Sequence, residues 1–294
     1  MKTAMKVGVL ATAAVCCAFA DASYSETVHY EGGSLVEMMH NMANGPMGRM
    51  AGQAFQDQTF AVYVKGNKMA RIGTNTSTIT DLDAGTITNI NNLRKTYTVI
   101  SFDEMKQMQG RMRGGDTNVD FNVKVDKTGK TKEIDGQTAT EYVISMTAKD
   151  SGSEGGMKIN SHVWLIPSEP GAVEVRAFYK KMATQNKSAL GGGGGPMMSG
   201  ASQGLAAAAA QLAAMDGVAV ETHMEMSGIS MPMGPMAQGA GDPNAPALIM
   251  ATQNSSYATG AVDDSKFAIP AGYKKTERGM GMGRRPGPPP PQDQ

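Results

Sequence analysis

Four histidines, His29, His40, His162 and His223, are the side chains of this chain best suited to move protons near neutral pH. They fall in three segments that read as strands and one that reads as a helix. No two have the spacing of a catalytic triad or of paired metal ligands. A lone histidine on a polar strand face, as at His162 or His223, is most simply a solvated side chain. There is no H-E-x-x-H helix and no phosphate-binding glycine loop. Asp81-x-Asp83-x-Gly85 matches the opening of a calcium loop, but the later ligands and the closing glutamate are missing. It reads as a turn between strands, and Asp263-Asp264 as a solvated loop. No catalytic residue and no cofactor is expected.

Methionine is the residue in excess, 25 in 294. The clusters are Met38, Met39, Met42, Met47 and Met50; Met105, Met108 and Met112; and Met224 and Met226 with Met231, Met233 and Met236. Three readings compete. Unbranched thioethers make a soft lining that shapes itself to acyl chains or partner surfaces. Thioethers beside a histidine select cuprous ion. Methionine can also simply stand in for leucine in a core. The helical spacing of Met38, Met39 and Met42, and of Met105, Met108 and Met112, favours buried faces. The run M-P-M-G-P-M is least explained by a core, so Met231, Met233 and Met236 are the candidate Cu(I) ligands. In the strand Val218–Met226, a period of two puts His223 on one face and Met224 and Met226 on the other, which argues against one joint site there.

The elements that would position these side chains are mostly strands. Gln58–Ser101 reads as four or five short antiparallel strands, punctuated by Gly66-Asn67 and Asp83-Ala84-Gly85. Ser23–Tyr30 reads as a strand before it. Leu35, Met38, Met39 and Met42 then mark a helix with Ser34 as N-cap. Ser101 and Glu104 form a capping box ahead of a second helix carrying Phe102, Met105 and Met108. Strands alternate through Phe121–Asp126 and Glu141–Thr147, with turns expected at Thr128-Gly129 and Asp135-Gly136. Met157–Ile166 follows as a strand, and Val175, Phe178, Tyr179 and Met182 mark a third helix. The Gly/Met/Ala-rich insertions span about 190–216 and 231–246; the first holds an alanine-rich helix former and the second reads as a mobile loop. Leu248–Ala258 is expected to be the last strand, and the Pro-rich tail 276–294 to be disordered.

Residues 1–20 read as a signal peptide: Lys2 and Lys6, an apolar run Val7–Val15, then Ala18-Phe19-Ala20 as cleavage signal. Cutting after Ala20 would send the mature chain to the periplasm or outside the cell. Cys16 and Cys17, the chain's only cysteines, leave with the leader unless one is lipidated; Val15 before them is not the small residue that lipidation favours. The mature chain then has no disulfide and no thiolate chemistry. It would keep 25 basic residues of the 27, against 27 acidic ones. That balance argues against nucleic-acid binding, which needs a basic footprint. No later apolar run reaches the ~18–20 residues of a membrane span.

VYVKGNKMARI, TITDLDAGTITNINNLRKTYTVI and FAIPAGY together resemble an exported bacterial family of unassigned function. That family is in turn similar to the lipoprotein-carrier superfamily, the LolA/LolB-like half-barrels. The resemblance implies an acyl-chain site between a curved antiparallel sheet and covering helices, and assigns no ligand contact to a residue. The resulting expectation is an α+β chain: a curved antiparallel sheet, an open half-barrel, with helices packed on its concave face. Residues 21–275 would form its single domain. Its ligand would be hydrophobic, an acyl chain, a lipid or a lipidated protein, and the chain a monomer. Leu35, Met38, Met39, Met42, Phe102, Met105 and Met108 are the candidate lining. The alternatives are an envelope interaction module without ligand and the Cu(I) protein.

Overall fold

Phe60, Val62 and Val64 alternate with Thr59, Ala61 and Tyr63, and this period of two makes β2 (Gln58–Lys65) a strand with one face fully buried. In the computed structural model, residues 21–43, 56–112, 121–148, 156–167, 169–185, 211, 215, 217–228 and 245–276 are described. The signal-peptide reading, the Met231, Met233 and Met236 cluster, nearly all of the insertion about 190–216, and nearly all of the tail lie outside them.

Short β-branched runs continue the pattern through β3 (Lys68–Gly73), β4 (Thr76–Asp81), β5 (Thr86–Asn91) and β6 (Thr96–Ser101). Each pairs with the strand before it. The turn at Asp81 closes as expected: its Oδ1 accepts from the backbone of Asp83 at 3.0 Å and Ala84 at 2.9 Å. The capping box also forms. Glu104 Oε2 accepts from Ser101 N at 2.7 Å and Ser101 Oγ from Glu104 N at 3.1 Å, starting α2 (Phe102–Met112).

β1 (Ala22–Gly32) precedes α1 (Ser34–Ala43), whose first free N–H groups are satisfied from outside the helix: Leu35 N donates to Ala247 O at 2.9 Å. The second series is β7 (Phe121–Ile134), β8 (Gln137–Ala148), β9 (Lys158–Ile166), then α3 (Ala172–Gln185), β10 (Val218–Ser227) and β11 (Leu248–Thr259). Two expectations change here. Thr128-Gly129 is not a turn but lies within β7, where the register shifts between Lys127 and Thr131. The reversal comes at Asp135-Gly136, whose φ of 50° and 75° are the two positive values that a two-residue hairpin turn needs. β11 is also not the last strand: β12 (Lys274–Lys275) pairs parallel with β6.

All twelve strands form one open sheet, ordered β12-β6-β5-β4-β3-β2-β1-β11-β10-β9-β8-β7, antiparallel except at β12. Two meanders, β1 to β6 and β7 to β11, meet where β1 pairs with β11. On one face of the first meander, Tyr24, Val62, Val64, Met69 and Ile87 pack with Phe102 of α2 and Val175, Phe178 and Met182 of α3. On the same face of the second, Val36 of α1 packs with Ile144, Met146, Ile159, Val163, Met224 and Met226. This is the helix face. The opposite face of β3 to β5 is apolar too: Ala70, Ile79 and Ile90 are covered by Phe267 and Tyr273 of the F-A-I-P-A-G-Y segment. That segment ends as β12, with Lys274 N donating to Lys95 O at 3.0 Å and Thr276 N to Tyr97 O at 2.8 Å. The K-T-Y and F-A-I-P-A-G-Y stretches, far apart in sequence, are therefore one packed unit.

Candidate functional site

The middle of the helix face carries a charged pair. Glu26 of β1 and Arg71 of β3 flank Phe60 and Val62 of β2; Arg71 Nε donates to Glu26 Oε1 at 2.7 Å and Nη2 donates to the same oxygen. The guanidinium lies 3.2 Å over the Phe60 ring. A half-buried ion pair is retained only where both charges find partners. Here it divides the face, with a cavity on each side.

Glu26 borders the first cavity, about 200 Å³ under α3 and mainly apolar, with Leu165, Val175, Val218 and Ala219 in its wall. Three tyrosines line it. Tyr24 and Tyr257 stack with centroids 4.9 Å apart, and Tyr257 donates to Ala219 O at 3.0 Å. Burial pushes all three phenols above their ordinary value of 10. Asn254 donates through Nδ2 to Ala219 O at 2.9 Å, but its Oδ1 is buried with no hydrogen-bond partner among the described residues. A buried acceptor left unpaired costs about 1–3 kcal/mol.

The second cavity, about 470 Å³, begins at Arg71 and runs over the far end of β4, β5 and β6. Its wall is largely polar, with Thr76, Thr78, Asn89, Asn91, Thr96 and Thr98, and its apolar part is Val28, Tyr30, Phe60, Ile90 and Tyr97.

The candidate lining residues do not converge on either cavity. Leu35 is buried on α1 and Met38 half-buried there, and of this helix it is Val36 that joins the core of the second meander. Phe102 is buried and Met105 half-buried on α2, in the core of the first. Met39, Met42 and Met108 belong to the same helices, and their side chains lie outside the described part. What sequence reasoning missed is the tyrosine set, because Tyr24, Tyr179 and Tyr257 come from β1, α3 and β11 with no shared spacing.

The opposite face brings three histidines together. His29 is paired across the ladder with Ala251, Ala251 with His223, and His223 with His162, so they form one row over β1, β11, β10 and β9. Each has a carboxylate: Asp57 at 2.8 Å from His29, Glu31 at 3.2 Å from His223, and Glu141 at 2.9 Å from His162. Met224 and Met226 are turned to the helix face, as strand alternation requires. Glu141 also accepts from the Thr128 hydroxyl at 2.7 Å and has Lys130 Nζ at 3.3 Å. The His162 bond first, then Thr128, hold its carboxyl at about 2 against an ordinary 4.5. Thr128 reaches the carboxylate and not the imidazole, so it is not set out as a nucleophile facing its base. Among the described residues no group of three or more His, Cys, Asp or Glu could hold a metal ion, and no helix is long and apolar enough to cross a membrane.

No family model and no curated protein matches the chain. Among solved structures it is similar to PNGF-II, at 10% identity and a TM-score of 0.32, over 88% of this chain and 31% of that one. The chain spans less than a third of the length of that protein.

Proposed function

We propose that this is a non-enzymatic protein of the cell envelope that holds a hydrophobic ligand between its sheet and its helices. The sheet curves into an open half-barrel, and the helix face is its concave side. Register shifts in the β1–β11, β9–β10 and β7–β8 pairs support the curvature, because an inserted residue bends its strand and adds twist. The ligand is an acyl chain, a lipid or the lipid of a modified partner. The observation that carries the reading is the tyrosine-lined apolar cleft under α3. At about 200 Å³ it is smaller than a drug-sized site and suits one end of a chain better than a whole lipid. The cleft lies beside α3, so the helix that matters is the third one and not the methionine-bearing α1 and α2.

The test is native mass spectrometry of protein purified from its own envelope, with uptake of cis-parinaric acid by delipidated protein. Ala219→Phe fills the cleft while its backbone carbonyl still accepts from Asn254 and Tyr257. The expected result is a bound lipid mass and fluorescence uptake in the parent chain, both lost in A219F with an unchanged circular dichroism spectrum. Bare polypeptide with no uptake, or uptake that A219F leaves intact, would sink the proposal.

A further inference from the structure

The polar cavity beyond Arg71 is built in a regular way. Three strands place side chains on it at successive register positions. Thr78 of β4 is paired with Asn89 of β5, and Asn89 with Thr98 of β6. One repeat further along, Thr76 is paired with Asn91, and Asn91 with Thr96. Two parallel Thr–Asn–Thr rows therefore lie side by side on the helix face.

These positions break the pattern of their own strands. Two residues away on β5 and β6, the same face carries buried Ile87 and Ile100. The rows lie where α2 and α3 no longer cover the sheet, and where the opposite face has taken over as core through Ala70, Ile79 and Ile90. A sheet end with its core on the other side needs no polar cavity on this one. Asn91 has a structural duty, since its Oδ1 accepts from Arg94 N at 2.8 Å. Thr78, Asn89 and Thr98 have none: their side chains make no hydrogen bond to another described residue.

The charge in the wall is cancelled. Arg71 is its one basic residue, and Glu26 holds it. What remains is an uncharged surface of hydroxyls and amides, each able to donate and accept, facing an apolar strip of Val28, Tyr30 and Phe60. A pyranose has the matching form, with hydroxyls around its rim and C–H bonds on its faces. A fatty acid, a phosphate or a cation has not.

We infer that this cavity is a binding site for a neutral saccharide, with the Thr78–Asn89–Thr98 row as its hydrogen-bonding floor. Its volume, about 470 Å³, is that of an ordinary small-molecule site. The inference does not depend on the apolar cleft, which lies on the other side of the Glu26–Arg71 pair.

Saturation-transfer NMR on the full mature chain tests it, with maltose, cellobiose and di-N-acetylchitobiose as neutral probes and glucuronic acid and glucosamine as charged ones. At least one neutral probe should receive saturation from the protein. The double variant Asn89→Ala, Thr98→Val should weaken that binding by about tenfold or more, through two lost hydrogen bonds. Both positions are partly exposed and without side-chain partners, so the variant should melt with the parent. Asn160→Ala, on the opposite face, should bind like the parent. No transfer to any neutral probe, transfer to charged probes only, or undiminished binding by the double variant would each overturn the site.

Discussion

Glu141→Gln is the substitution whose effect follows most directly from geometry. Glu141 is 4% exposed, with His162 on one oxygen and Thr128 and Lys130 on the other. Those partners lower its carboxyl from 4.5 to about 2. At about 1.4 kcal/mol for each tenfold, the ionised carboxylate contributes about 3 kcal/mol to folding at pH 7. The sign follows from the depressed value: the contribution is complete above the unfolded-chain pKa and is lost as pH falls through the folded one. At pH 3.5 about 2 kcal/mol should remain, and below pH 2 almost none. The amide cannot take the charge, so its deficit against the parent should shrink along the same curve. Urea unfolding of parent and E141Q at pH 7, 5 and 3.5, followed by circular dichroism, measures that deficit directly. A deficit that stays constant over this range, or an E141Q chain as stable as the parent at pH 7, would refute the reasoning.

Phe178→Ala should cost about 3–5 kcal/mol in urea unfolding, because the ring is fully buried between α3 and the first meander. Ultraviolet titration should show a class of tyrosines that resists ionisation well above pH 10 until the chain unfolds. Tyr24→Phe and Tyr257→Phe should each shrink that class, since burial raises both phenols. A double-mutant cycle on Glu26→Gln and Arg71→Ala should give a coupling of about 1–2 kcal/mol, moderated because Arg71 is about a third exposed. A coupling near zero in thermal melts would mean that the pair does not hold the wall between the two cavities.

Much of the fold was legible because its signals are local. Period-two alternation located β2 to β6, β8 and β10, and the Ser101–Glu104 spacing located the start of α2, since each depends only on neighbours in the chain. Gly129 misled for a related reason: a positive φ serves a bulge as well as a turn, and only the register on β8 tells them apart. The candidate site was much less legible. Met38 and Met105 share a spacing, yet α1 and α2 serve different meanders, so a common stripe did not mean a common pocket. His29, His162 and His223 form their row only across strands, so no spacing along the chain links them.

By itself the sequence determined the strand-rich composition of the chain, the helix starts and which side of each strand is greasy, because backbone sterics and side-chain alternation act over a few residues. The tertiary structure alone decided which distant strands are neighbours and in which register the strands pair. Pairing β1 with β11 put Tyr24 against Tyr257, and pairing β4, β5 and β6 in one register lined up Thr78, Asn89 and Thr98. Contacts of that kind are set by sheet order and register, which no local pattern contains.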